Sequence, residues 1–412
     1  MLTDLRCLIL ILSYLLVSLI AQSQVQKIYL HPKAAGSEKQ SKFVDSIRFI
    51  PLETKAGIEL GTYNSVEVTA NYFLIRDYPN KAILLYAKNG QFIKKISYKR
   101  IIDAYPFYDE HSDQIVFNGN NKNYKLTARD RIKIKLDWSN PRNKKYFKKY
   151  TIDLNDTSFT IKKVIPQQND LLRAYNYYED HFSVGEINTS ELYKDSLDYE
   201  LKIYQGNQLV KGFFSYNRIH EARFLYKEEN MSIFKTDTPY IQFITRPYCD
   251  TIYKMVRDSL LPAYQIVLPL ENSLPAAFFT TPFKNKTERE NFERNNSWML
   301  HQVYSFYETS RFIYYGIGYL GNYESYVYQK QTNTSFKVKN IKPDSSQYNL
   351  PLLPEYGISR KKNKFYKTQN AGPILTFFEK NKNVPVPPEL ENFIKSNPPA
   401  TAPIIIEFTL KN

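Results

Sequence analysis

Cysteine is nearly absent from this chain: 412 residues hold two, Cys7 and Cys249. If Cys7 lies in a removed leader, Cys249 has no partner, an intramolecular disulfide is excluded, and stability must come from burial. A lone thiol of this kind is expected to be a small buried apolar residue. Histidine is also scarce, with five residues, His31, His111, His181, His220 and His301. None is spaced as HxxxH or HExxH, so a zinc site built within one segment is excluded, although ligands from distant segments could still meet. Neither a GxSxG nucleophile elbow nor a phosphate-cradling GxxxxGK loop is present. After residue 23 no apolar run approaches the roughly 20 residues that a spanning helix needs.

What is present begins with a leader. Residues 1–6 are polar, 7–20 form an apolar run, and Ala21-Gln22-Ser23 supplies small residues at a cleavage-like spacing. Residues 1–23 therefore read as an export signal, shorter than a membrane anchor. Cys7 precedes the apolar run, which argues against a lipid-modified N-terminus. Export places the protein in the periplasm or at the cell surface and excludes nucleic acid as a partner. The net charge of +15 is scattered over short clusters such as Lys144-Lys145 and Lys148-Lys149, which reads as a solvated surface. The partner it would suit is an envelope protein or glycan, possibly anionic.

The 42% hydrophobic and 15% aromatic content is enough for one large core. Residues 66–96 read as four short strands, 66–69, 72–76, 82–86 and 92–96, joined by polar turns, among them Lys88-Asn89-Gly90. One such sheet can bury a face only against another sheet, and further sets follow. The second has strands at 114–118, 123–127 and 131–136; the third at 160–165, 171–177, 197–204 and 209–214. The fourth runs through 222–226, 240–245, 251–255 and 264–268, and the fifth through 304–308, 311–315, 323–329 and 336–338. The sixth holds 356–360, 364–367 and the apolar PIIIEFTL at 403–410. It is one strand short, and the orphan run at 46–52 can supply it. The expected fold is all-β: a six-bladed β-propeller of four-stranded antiparallel blades over residues 43–412, closed by N- and C-terminal strands sharing the last blade. Short helical insertions are expected within 282–297 and at 374–380 and 389–395, and residues 24–42 read as a flexible lead-in.

FIPLET at 49–54, LLYAKNGQFIKKI at 84–96, CDTIYKM at 249–255 and the terminal PIIIEFTLK resemble the exported six-bladed β-propeller proteins of bacteria, which are similar in turn to NHL-repeat propellers. The resemblance spans essentially the whole mature chain. It implies a propeller fold and an exported location, and it implies no reaction. Members often carry a Gly-rich GxGPGEY-like segment after the first meander; here SYKRIIDAYPFY at 97–108 stands in its place.

Gly316-Ile-Gly318-Tyr-Leu-Gly321 matches GxGxxG, but strand-like NYESYVYQ follows it instead of a helix, so it reads as a hairpin loop and not a nucleotide site. The 35 tyrosines read as sheet packing first and sugar platforms second. The first, innermost strands supply Glu67, Arg223, Glu308 and Arg360 as residues facing a central channel, where a one-residue register error would turn each outward. The leading reading is a monomeric, non-enzymatic binding or scaffold protein of the envelope, with no cofactor. The alternative is a carbohydrate- or lactone-directed hydrolase or lyase with a channel site, where an axial Ca²⁺ or Zn²⁺ would be expected.

Overall fold

The computed structural model describes residues 25–55, 64–99, 105–120, 147–165, 175–178, 181–185, 197–206, 208–217, 231–238, 240–276, 278, 283–353 and 359–412. The leader expected at 1–23 lies outside them. The described chain is all-β with three α-helices, and its strands form six sheets. It opens with β1 (Gln26–Tyr29) and β2 (Val44–Pro51). The first sheet is the meander β3 (Asn64–Val68), β4 (Tyr72–Asp77), β5 (Ala82–Ala87) and β6 (Phe92–Ser97), each strand antiparallel to the next. The second is β7 (Tyr105–Asp109), β8 (Gln114–Asn120), β9 (Phe147–Asp153) and β10 (Lys162–Val164). The third is β11 (Tyr175–Tyr178), β12 (His181–Gly185), β13 (Leu197–Gln205) and β14 (Gln208–Asn217). The fourth is β15 (Ser232–Lys235), β16 (Ile241–Thr245), β17 (Thr251–Val256) and β18 (Ser259–Val267). The fifth is β19 (Leu300–Glu308), β20 (Phe312–Tyr319), β21 (Tyr323–Gln329) and β22 (Thr334–Lys337). The sixth takes β23 (Ser359–Lys361), β24 (Lys364–Asn370) and β25 (Pro403–Leu410) from the end of the chain, and β2 from its start. β2 and β25 are antiparallel, paired from Val44 opposite Leu410 to Pro51 opposite Ile404 with a register shift between Val44 and Ser46.

Successive sheets bury their faces on one another, which is why AILLYA of β5 is apolar on both sides instead of alternating. Leu74, Ile83 and Leu85 of the first sheet meet Ile115, Phe117 and Ile152 of the second. Further clusters join the third sheet to the fourth through Leu201, Ile203, Ile244 and Met255, and the fourth to the fifth through Tyr264, Phe306 and Tyr315. Tyr307 against Phe365 joins the fifth to the sixth. Ile50, Ile405 and Tyr366 against Val66, Phe73 and Ile75 join the sixth back to the first. Among the described residues, no hydrophobic cluster joins the second sheet to the third.

Several expectations need correction. The lead-in expected to be loose is paired: β1 runs parallel to β18, so the fourth sheet has five strands, a bridge from Gly36 to Phe336 carries the strap onto β22 of the fifth, and one from Lys39 to Lys342 continues just past it. Ile28 and Leu30 anchor it in the core. The run at 160–165 does not open the third sheet; β10 closes the second by pairing with β9, which the basic KKY segment had concealed. The expected strands at 123–127, 131–136 and 222–226 lie outside the described residues. Gly316 and Gly318 sit inside β20 and not in a loop. A β-carbon on Gly316 would fall 2.3 Å from Tyr304 Cζ, so its glycine makes room for a cross-strand ring. Cys249 is only partly buried. The helices are α1 (Lys286–Asn295), α2 (Ala371–Lys380) and α3 (Pro388–Lys395). Asn285 caps α1 by accepting from Glu288 N at 2.9 Å, while α2 and α3 lay Ile374, Phe378 and Leu390 on the sixth sheet.

Candidate functional site

The first strands of the sheets end near one another, and charged side chains at those ends meet across sheet boundaries. On β3, Glu67 accepts from Arg76 Nη2 of β4 at 2.7 Å, and Arg76 Nη1 donates to Pro106 O of β7 at 3.0 Å. Lys361, at the end of β23, places its Nζ 3.5 Å from Glu110 Oε1, just beyond β7. That ion pair links the sixth and second sheets past the intervening first. Arg360, one residue earlier, donates to Asp237 Oδ1 at 2.9 Å and to the Lys235 carbonyl at the end of β15. Its guanidinium also lies 4.6 Å from the centroid of the Tyr307 ring on β19. Five of the six sheets thus contribute to one cluster.

Burial dominates the titration of this cluster. The Glu67 carboxyl is raised above its ordinary value chiefly by desolvation, although Arg76, Lys235 and Lys361 pull it down. Burial likewise raises the Tyr307 phenol, against the opposing pull of Arg360. Beside Arg360 and Lys235 opens a cleft of about 480 Å³, walled by Phe234, Phe306, Tyr307, Tyr314 and Phe365. This arrangement can hold a ligand with an apolar body and an acidic group, the chemistry of many concave sites. Among the described residues no three His, Cys, Asp or Glu side chains are grouped to hold a metal ion.

The structure brings two of the four sequence-derived residues, Glu67 and Arg360, into this cluster. Arg223 lies outside the described residues. Glu308 points elsewhere: it accepts from the Tyr264 hydroxyl and pairs with Lys330, at the junction of the fourth and fifth sheets. Strand alternation is the reason, because Tyr307 takes the cluster side of β19 and its neighbour must take the other. Lys235, Asp237, Glu110 and Lys361 were missed. All four lie at or just past strand ends, where period-2 patterning gives no signal.

A family model for a domain of unknown function (DUF4934) matches residues 29–407. The chain belongs to the DUF4934 family. Among solved structures, this DUF4934 chain is similar to a Bacteroides fragilis protein assigned as exported, at 14% identity and a TM-score of 0.60, over 94% of this chain and 100% of that one. A DUF4221 family member from Bacteroides vulgatus matches at 10% identity and a TM-score of 0.41, over 90% and 98% of the two chains. Virginiamycin B lyase from Staphylococcus aureus matches at 9% identity and 0.34, over 89% and 99%. The first likeness shows a shared fold. Comparison with curated proteins gave no match. No described helix is long and apolar enough to cross a membrane.

Proposed function

We propose that this is an exported, non-enzymatic binding or scaffold protein of the bacterial envelope, built as a six-bladed β-propeller whose ring β2 closes by pairing with β25. The ordered contacts from sheet to sheet, including the return of the sixth onto the first, support that architecture. The ligand docks where the first strands converge, in the aromatic cleft beside Arg360 and Lys235. One observation carries this reading: the acids and bases of the cluster are mostly engaged with one another, Glu67 with Arg76, Glu110 with Lys361 and Asp237 with Arg360. Such lacing shapes a rigid rim more readily than it frees a catalytic pair. The partner is an envelope protein or glycan carrying an acidic group.

Affinity enrichment from envelope extract with the mature protein and with Arg360→Ala tests it. A specific partner retained by the first and lost about tenfold by the second is expected, on the scale of one desolvated charged contact. Equal enrichment by both would overturn the location.

A second reading, a hydrolase or lyase acting on a carbohydrate or lactone, draws on Glu67, whose carboxyl burial raises above its ordinary value, the direction that suits a general acid. Glu67→Gln decides between them: turnover of a defined substrate by the purified protein, abolished in that variant, would replace the binding reading. Metal analysis adds a further check, since bound stoichiometric Ca²⁺ or Zn²⁺ would favour the enzyme.

A further inference from the structure

A second concavity lies on the periphery, away from the convergent strand ends. It has a volume of about 410 Å³ and is formed by the N-terminal strap, the end of α1 and the fifth sheet. One wall is Trp298. The residue is 48% exposed, yet it is held in place. The Trp298 carbonyl accepts from Asn272 Nδ2 at 2.9 Å, and its ring rests on the buried Tyr319 ring with centroids 5.6 Å apart. The turn that carries it is pinned on both sides, by Met299 N to Asn296 O at 2.9 Å and Gly321 N to Ser297 O at 3.0 Å. An indole held half open inside a concave site costs little conformational entropy when it binds a flat partner.

The rest of the lining specifies what that partner is. Asn295 and Asn296 also line the groove; the Asn296 amide donates to Phe292 O at 2.8 Å, which leaves its oxygen and second N–H, and primary amides both donate and accept, as hydroxyl-rich ligands require. The charges in the groove are matched internally. At the lip Lys33 pairs with Glu271 at 3.1 Å; at the floor Glu324 pairs with Lys337 and accepts from the Tyr326 hydroxyl. Its lining carries two cations, Lys33 and Lys337, and two anions, Glu271 and Glu324, whereas the charges lining the cleft at Arg360 are cations alone; the groove therefore has no surplus charge to recognise an acidic or basic ligand. A flat apolar face ringed by hydroxyls is the surface of a pyranose, and the electron-rich face of an aromatic ring is its complement.

We propose that the Trp298 groove binds a neutral oligosaccharide, with one pyranose stacked on the indole and its hydroxyls bonded by the amides of Asn295 and Asn296. The site is independent of the cleft at Arg360. Its volume falls in the range of about 300 to 1,000 Å³ typical of small-molecule sites, room for a short oligosaccharide.

Isothermal titration of the mature protein with neutral cello-, malto-, manno-, xylo- and chito-oligosaccharides, and with oligogalacturonate as the acidic comparison, tests the assignment. At least one neutral series is expected to bind saturably, and Trp298→Ala to weaken it about tenfold or more. Asn295→Ala should weaken it by a smaller factor, while Trp298→Phe should retain most of the affinity. Arg360→Ala should leave it unchanged, which separates this site from the central one. All three groove variants replace exposed residues, and circular dichroism checks that they fold. No binding by any neutral series, binding by oligogalacturonate alone, or binding that survives Trp298→Ala would overturn the proposal.

Discussion

Lys367 sits on β24 with its ammonium donating to Pro351 O at 2.8 Å, and burial lowers its pKa to about 8. In the unfolded chain the same group titrates near 10.4. The folded state therefore disfavours the proton, and the resulting penalty is fully present below pH 8 and relieved as pH rises toward the unfolded value. Relative to Lys367→Met, the protein should gain stability between pH 8 and 10, seen as a narrowing difference in Tm. A constant difference across that window would show that the amine is solvated. Tyr86 acts in the opposite sense at higher pH: burial pushes its phenol up to about 12, so its contribution is lost as pH rises beyond 10. At this scale four tyrosines of the fifth sheet prove to be core residues. Tyr315, Tyr319, Tyr326 and Tyr328 are all buried, and the hydroxyls of Tyr315 and Tyr328 reach Ser335 at 3.3 Å and Asn333 at 2.7 Å, as the strand propensity of the residue suggested.

At the scale of elements, the turn between β5 and β6 does more than reverse the chain. Gly90 has φ +89°, and a β-carbon there would fall 2.2 Å from Pro51 O. Its carbonyl accepts from Glu53 N at 2.9 Å, and Phe92 N donates to the Glu53 carboxylate at 2.9 Å. The Asn89-Gly90 turn of the first sheet is thus clasped to the end of β2 in the sixth. Gly90→Ala should destabilise by about 2 kcal/mol or more, since left-handed backbone strain and a backbone clash act together; a denaturant midpoint shift measures it. Asn89→Ala, which leaves φ at Gly90 free, should cost far less. The turn was legible from Lys88-Asn89-Gly90, but its partner across the sheets was not.

At the scale of the molecule, the strap and β2 join the two ends of the chain. β1 extends the fourth sheet, Gly36 bridges to the fifth, and β2 forms an edge of the sixth. Deleting residues 24–54 would strip the strap and leave β25 with an unpaired edge. The truncated protein should aggregate, or melt well below the intact chain, by light scattering and calorimetry. Unchanged melting and a monodisperse solution would refute the proposed closure.

Local pattern determined much of this protein. Apolar and aromatic runs marked the first, fifth and sixth sheets, with Lys88-Asn89-Gly90 as a turn in the first, and the charged run within 282–297 marked α1, because such signals act within a few residues of chain. The return of 46–52 to the C-terminal strand was legible too, since one apolar strand was left over at each end. Tertiary structure decided the rest. Whether Glu308 or Tyr307 joins the cluster at the strand ends depends on a one-residue register, which only packing between sheets selects. The meeting of Lys361 with Glu110, and the seating of Trp298 between strap, helix and sheet, join residues hundreds of positions apart or brought together by an unforeseen strap. No local periodicity encodes such contacts, because they exist only once the sheets have packed.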